Sequence, residues 1–250
     1  MKSLLLLFLP LLFVQAAFAQ RDNLNFRVQI GRTLPQGNFA GKESLQIDGY
    51  AENGIVGNFG VGIPVAKNIQ LDFDYSRAVY RVDIIELRNS YFSQVILPIK
   101  SQSNAEEISG AISADKYTNT NLFFSLKLGA GDDQFRAYLK PGIGVGWFGY
   151  PVISEEIRLD NEYVLSTTTS ESEHELTFNL TGGVEFKIAE NISFDFNVQY
   201  IKTEYRVVAD IIAENEKGES FTATDSQNVE FKTINLNLGI LFYINSSSTD

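Results

Sequence analysis

Between Ile192 and Tyr200 apolar and polar residues alternate without a break. Ile192, Phe194, Phe196, Val198 and Tyr200 fall on one side, Ser193, Asp195, Asn197 and Gln199 on the other. Successive side chains of a β-strand face opposite ways, so this segment has one greasy face and one wet face. The same pattern recurs in Leu24–Leu34, Gly54–Ile63, Ile69–Val82, Tyr117–Gly129, Phe135–Gly149, Glu175–Ile188, Ile192–Val208 and Asn228–Ile244. These segments are rich in Phe, Tyr, Val, Ile and Thr and are interrupted by Gly, Asn and Asp, the composition of strands separated by turns. Eight strands are predicted, most of them longer than the ~10 residues a tilted strand needs to cross a bilayer.

The gaps sort into two classes that alternate strictly. Pro64–Asn68, Ala130–Gln134 and Ala189–Asn191 are tight; Pro35–Asn53, Asp83–Lys116, Tyr150–His174 and Ala209–Gln227 are long and polar. All long connections therefore leave one end of the sheet, and both chain ends fall at the other. The expected fold is all-β: an eight-stranded antiparallel up-and-down transmembrane β-barrel with short periplasmic turns and long extracellular loops.

A soluble barrel that binds a hydrophobic ligand also alternates, so the direction of the wet face needs its own argument. Arg27, Asp72, Asp74, Lys127, Arg136, Lys140, Glu185 and Asp195 place charge of both signs in mid-strand on the polar face. A ligand-binding barrel would keep such residues outside. Tyr75, Tyr80, Trp147, Phe148, Tyr150, Tyr200 and Tyr205 gather at the loop ends of strands, Phe135, Phe186, Phe194 and Phe242 at the turn ends. Two aromatic girdles at the membrane interfaces are expected from this clustering.

Composition narrows the picture further. Residues 1–19 read as an export signal, with Lys2 before the apolar Leu4–Val14 and Ala17-Phe18-Ala19 as a cleavage site, leaving residues 20–250 as one barrel domain. Cysteine is absent, which excludes a lipid-anchored lipoprotein and a disulfide framework. Loss of the signal takes the formal charge from −11 to −12. Such a balance argues against nucleic acid as a partner and against electrostatic binding of anionic headgroups.

The hairpin Gly60–Tyr75, the run Pro141-Gly-Ile-Gly-Val-Gly-Trp-Phe148 and the closing strand Ile234–Tyr243 resemble the small outer-membrane β-barrel proteins of Gram-negative bacteria, including the OmpA-type transmembrane domain. The resemblance spans the chain after the signal and implies an outer-membrane location, with membrane lipid and lipopolysaccharide as surroundings. It does not extend to a peptidoglycan-binding domain. The polar tail Asn245–Asp250 after Phe242 and Tyr243 also departs from the family's aromatic C-terminus.

An eight-stranded barrel is filled by its own side chains, so its internal charges need partners. Registering strands from the short turns sets Lys127 across from Arg136 and Glu185 across from Asp195, with Asp72 at a similar height. A structural ion-pair layer is expected, with a gate or proton path as the functional alternative. Gly142, Gly144 and Gly146 share the lumen face between Tyr138 and Phe148, either making room for large neighbours or leaving a ligand pocket. Pro141 lacks a ladder donor and suggests a bulge.

Catalysis has little to build on. The one histidine, His174, sits near Ser170 and Ser172 among Glu171, Glu173 and Glu175, without a hydrolase motif around it. The acidic stretches Ser154–Asp160 and Glu214–Glu219 offer oxygen ligands for divalent ions, but neither has EF-hand spacing. No enzyme, cofactor or metal is therefore expected. The expected role is a barrel scaffold whose loops bind a protein partner or surface; a narrow channel and a soluble ligand-binding barrel are the alternatives. Ile84, Ile85, Leu87, Tyr91, Phe92, Val95, Ile96 and Leu97 make Asp83–Lys116 the favoured interaction loop, either as a lid or as a docking site.

Overall fold

A computed structural model describes residues 24–43, 45, 49–102, 108–132, 134–159, 162–172, 174–215 and 217–244. The export signal and the tail Asn245–Asp250 lie outside the described residues. The strands are β1 (Leu24–Gln36), β2 (Gly54–Ala66), β3 (Ile69–Tyr80), β4 (Ile108–Ala114), β5 (Tyr117–Gly131), β6 (Phe135–Gly149), β7 (Ile153–Leu159), β8 (Glu162–Ser172), β9 (Glu175–Ala189), β10 (Ile192–Asn215) and β11 (Ser220–Ile244).

Eight of them close a ring in the order β1–β2–β3–β5–β6–β9–β10–β11. Antiparallel pairing of β11 with β1, from Leu24 opposite Ile244 to Gln36 opposite Lys232, seals the last seam. Large apolar side chains cover the outer face, among them Ile30, Phe73, Leu122, Leu139, Phe178 and Leu238. The polar half of each alternation points inward, as with Asp195, Asn197 and Gln199 of β10. A closed, apolar-out ring satisfies every backbone group without a lipid-facing edge, which is the condition for a sheet to stand in a membrane.

The other three strands lie within two of the segments expected to be long polar loops, Asp83–Lys116 and Tyr150–His174. The Ala209–Gln227 segment is a continuation of the β10–β11 hairpin, paired from Ile192 opposite Phe242 out to Glu214 opposite Ser220. The far half of β10 also pairs with β8, which pairs with β7, which pairs with β4. A second sheet, β11–β10–β8–β7–β4, thus rises from the loop end of the ring. Strand β8 is Thr- and Ser-rich, β7 carries Glu155, Glu156 and Arg158, and β4 is short and small-chained, so no lipid-facing period of two advertised them in the sequence.

The expected loop-end girdle is also corrected. Tyr75, Trp147 and Tyr200 point outward, whereas Tyr80, Phe148 and Tyr205 are buried inside. Parity decides this, because Tyr205 shares its face with Asp195 and Gln199, not with Tyr200. No bulge forms at Pro141: β6 keeps one register with β5 on both sides of it and an unbroken register with β9. The register shifts lie instead at Pro64/Ala66 and Ile192/Ser193.

The lumen glycines make room for neighbours. A Cβ on Gly146 would collide with the Tyr205 hydroxyl, Thr177 and Asn121, and one on Gly142 with Ser125 and Asn179. Gly146→Val is accordingly expected to lower the unfolding free energy by about 1–3 kcal/mol. Urea titration of the folded barrel in detergent, followed by fluorescence of the single tryptophan Trp147, checks this.

Candidate functional site: a sealed lumen beneath an outer sheet

Two layers close the barrel. Nearer the turns, Arg27 of β1 is fully buried and donates through Nη2 to Asp72 (2.5 Å) and Asp74 (2.9 Å) of β3. Lys140 of β6 joins from the other side, 2.8 Å from Asp74 and 3.4 Å from Asp72. Asp195 accepts from Gln29 at 2.7 Å and from the Tyr138 hydroxyl at 2.9 Å, with Arg27 Nη1 4.0 Å away. Lys127 pairs with Glu185 and lies over the Tyr138 ring, 4.4 Å from its centre. Each buried charge has an opposite partner, which is what a narrow, dry interior demands.

Glu185 does stand opposite Asp195, but the expected single layer is corrected. The β5–β6 register sets Arg136 opposite Gly131, not Lys127. Arg136 sits at the turn-end mouth, where it donates to the Lys67 carbonyl and to Asn68 at 3.3 Å. It lies beyond the reach of the Arg27 cluster because it is the second residue of β6, at the turn end of the strand.

Nearer the loops an aromatic plug fills the lumen. Phe39, in the 3₁₀ turn Gly37–Ala40, drops among Tyr80, Tyr117, Phe148 and Phe231 with ring centres 4.9–5.5 Å apart. Between plug and ion pairs, Thr33 bonds Tyr80 and Thr233, and Asn119 bonds Tyr205. Sequence reasoning missed Phe39, an aromatic in a polar loop outside any periodic segment; the Gly before its Asn was a local sign of a turn.

Outside the barrel, the Asp83–Lys116 segment is helical before it joins β4. Helix α1 (Ile84–Tyr91) runs through a π-helical turn (Phe92–Ile96) into α2 (Leu97–Gln102). Leu87, Tyr91 and Ile96 bury themselves with Tyr50 and Ile112, while Ile84, Ile85, Phe92 and Leu97 stay exposed. The expected interaction residues therefore split between a packed face and a free one.

Asp83 caps α1, accepting from the Glu86 amide at 3.2 Å, and it pairs with Lys42. The Lys42 ammonium holds the Asp83 carboxyl below the usual carboxylate range, and Asp83 raises Lys42 in return. A depressed carboxyl stabilises above its ordinary pKa of about 3.9, and that support is lost as pH falls through the lower folded value. The raised lysine acts in the opposite sense, stabilising below about 10.4 and fading as pH climbs past its raised value. Helix α1 is therefore expected to be most protected between these limits, and Asp83→Ala to cost it about 1 kcal/mol. Hydrogen exchange of the 84–91 amides at several pH values measures both effects.

His174 is exposed at the β8–β9 junction. Among the described residues no group of three or more His, Cys, Asp and Glu side chains is placed to hold a metal ion. In the acidic Glu214–Glu219 stretch, Asn215 closes the hairpin tip by accepting from the Lys217 and Glu219 amides, both at 3.0 Å.

The sequence matches the family described as "Outer membrane protein beta-barrel domain" over residues 4–242, nearly its whole length. The chain belongs to this family. It is an outer-membrane β-barrel protein. No curated protein matches it. Solved structures similar to this barrel include a major outer membrane protein of Thermus thermophilus, with 11% identity, 88% of this chain and 99% of that one covered, and a TM-score of 0.46. Neisserial surface protein A shows 10% identity over 88% and 96%, with a TM-score of 0.45. Ail, the attachment invasion locus protein of Yersinia pestis, shows 8% identity over 90% and 99%, with a TM-score of 0.41.

Proposed function

We propose that this outer-membrane barrel is a non-catalytic scaffold that presents its outer sheet and α1 to a protein partner at the cell surface. The observation that carries this reading is the end of the outer sheet. Among the described residues β4 pairs only with β7, so its other edge offers unpaired backbone groups. Ile85 and Phe92 stand about half exposed in the adjoining helical segment. An open strand edge beside apolar side chains suits an added strand from a partner, with backbone bonds for affinity and the apolar residues for specificity.

The test is photo-crosslinking on intact cells from an analogue placed at Phe92 or Ser113, with Phe178 on the lipid face as control. A discrete protein adduct from the first two positions and none from Phe178 is expected. Adducts with lipid alone at all three positions would remove the proposal. The channel reading is disfavoured by the two filled layers of the lumen. Reconstituted protein is expected to leave a planar bilayer at its baseline conductance, and sustained single-channel openings would replace the scaffold with a pore.

A further inference from the structure

We infer that the outer rim of β1, β2 and β3 carries a site for one phosphorylated lipid of the outer leaflet. A groove of about 980 Å³ opens there, between the outward faces of these strands and the first loop. Its floor includes Ile30, Ile55 and Val79; its lining holds four basic side chains, Arg32, Lys42, Arg81 and Lys116, against one acid, Glu52. An apolar floor beneath a basic rim fits a molecule with acyl chains at one end and phosphate at the other.

Charge pairing distinguishes this groove from the lysine pair of the neighbouring seam. On the far side of the seam, Lys202 and Lys232 are both satisfied by Glu230, at 3.2 and 2.7 Å. In the groove Lys42 is taken up by Asp83. Arg32, Arg81 and Lys116 have no carboxylate within 4 Å among the described residues. Unpaired arginines at a membrane surface are matched by phosphate, whose oxygens fit the guanidinium fork.

The strand register adds a place for the lipid tail. Arg32, Ile55 and Val79 form one outward row across β1–β3, and Ile30, Gly57 and Arg77 form the row below it. A Cβ on Gly57 would meet nothing within 4 Å, so a notch opens on the lipid side directly under the groove. Val28, Phe59 and Tyr75 continue the apolar face toward the bilayer. The overall charge of −11 argues against anionic lipid as a partner, but that figure averages over the chain. Local charge at this one groove has the opposite sign.

The experiment uses the full chain refolded in phosphatidylcholine nanodiscs, titrated with fluorescent diphosphoryl lipid A. Wild type is expected to bind it saturably, and the triple variant Arg32→Gln, Arg81→Gln, Lys116→Gln to bind about tenfold or more weakly. The double variant Lys202→Gln, Lys232→Gln is expected to bind as wild type, and dephosphorylated lipid A to bind neither. Equal affinity of wild type and triple variant would overturn the site, as would an equal loss in the Lys202/Lys232 variant, which would signal unspecific charge. Displacement of lipid A by millimolar inorganic phosphate would also overturn it, in favour of a free-phosphate site. Heat-dependent gel mobility reports folding of each variant. Arg81→Gln alone, with about threefold weakening expected, carries the test should the triple variant not fold.

Discussion

Arg27→Ala is expected to lower the unfolding free energy of the barrel by about 3–5 kcal/mol, because it leaves buried carboxylates without their principal counter-charge. Arg27 is the hub: it contacts Asp72 and Asp74 directly and approaches Asp195. Lys140 remains beside Asp72 and Asp74 in the variant, which places the loss toward the lower end of that range. Arg27→Lys keeps the charge but not the fork that reaches two carboxylates at once, so an intermediate loss is expected. A double-mutant cycle with Asp74→Asn isolates the pair, with a coupling of about 0.5–3 kcal/mol expected for direct neighbours. Urea titration in detergent reads all of these. An Arg27→Ala barrel as stable as wild type would mean that water or relaxation had replaced the ion pair.

Phe39→Ala is the second large effect, with an expected cost of about 3–5 kcal/mol. Its ring is the common neighbour of Tyr80, Tyr117, Phe148 and Phe231, so removing it strips one face of contact from four aromatics at once. Phe39→Leu fills most of the space and should cost less than about 1.5 kcal/mol. Neither variant is expected to raise conductance, since the hydroxyl, amide and ion-pair layers beneath still fill the bore. Unfolding curves and planar-bilayer recordings on the same preparations separate the plug's contribution to stability from any role as a gate.

The ring was legible because two environments impose the same period on it. Lipid outside and a polar bore inside force alternation, so the sequence boundaries of β6 coincide with the observed ones and β1, β5 and β9 end within two residues. The inward placement of Arg27, Asp72, Asp74, Lys127, Lys140, Glu185 and Asp195 followed from the same parity. Where one environment is missing the signal goes. Strands β4, β7 and β8 meet water on at least part of both faces, so their Ser, Thr and Glu content read as loop. Arg136 failed for another reason: it has lumen parity, but it lies so close to the turn that its side chain reaches the mouth instead of the bore. Phe39 belongs to no period at all, and only the closed ring around it reveals why it is there.

The β10–β11 hairpin crosses from membrane to outer sheet without a glycine or proline between Ile192 and Asn215 or between Ser220 and Leu238. Its paired ladder has no natural joint at the point where it leaves the ring. The outer sheet is therefore a mast fixed to a deck: a tilt of the barrel in its bilayer swings the far end of the hairpin by the same angle. Beyond Val207, β10 still runs to Asn215, a length of about 27 Å at the usual rise per residue. Membrane thickness and curvature then become inputs to where the tip points, and a force applied at the tip is delivered to the seam between β10 and β11.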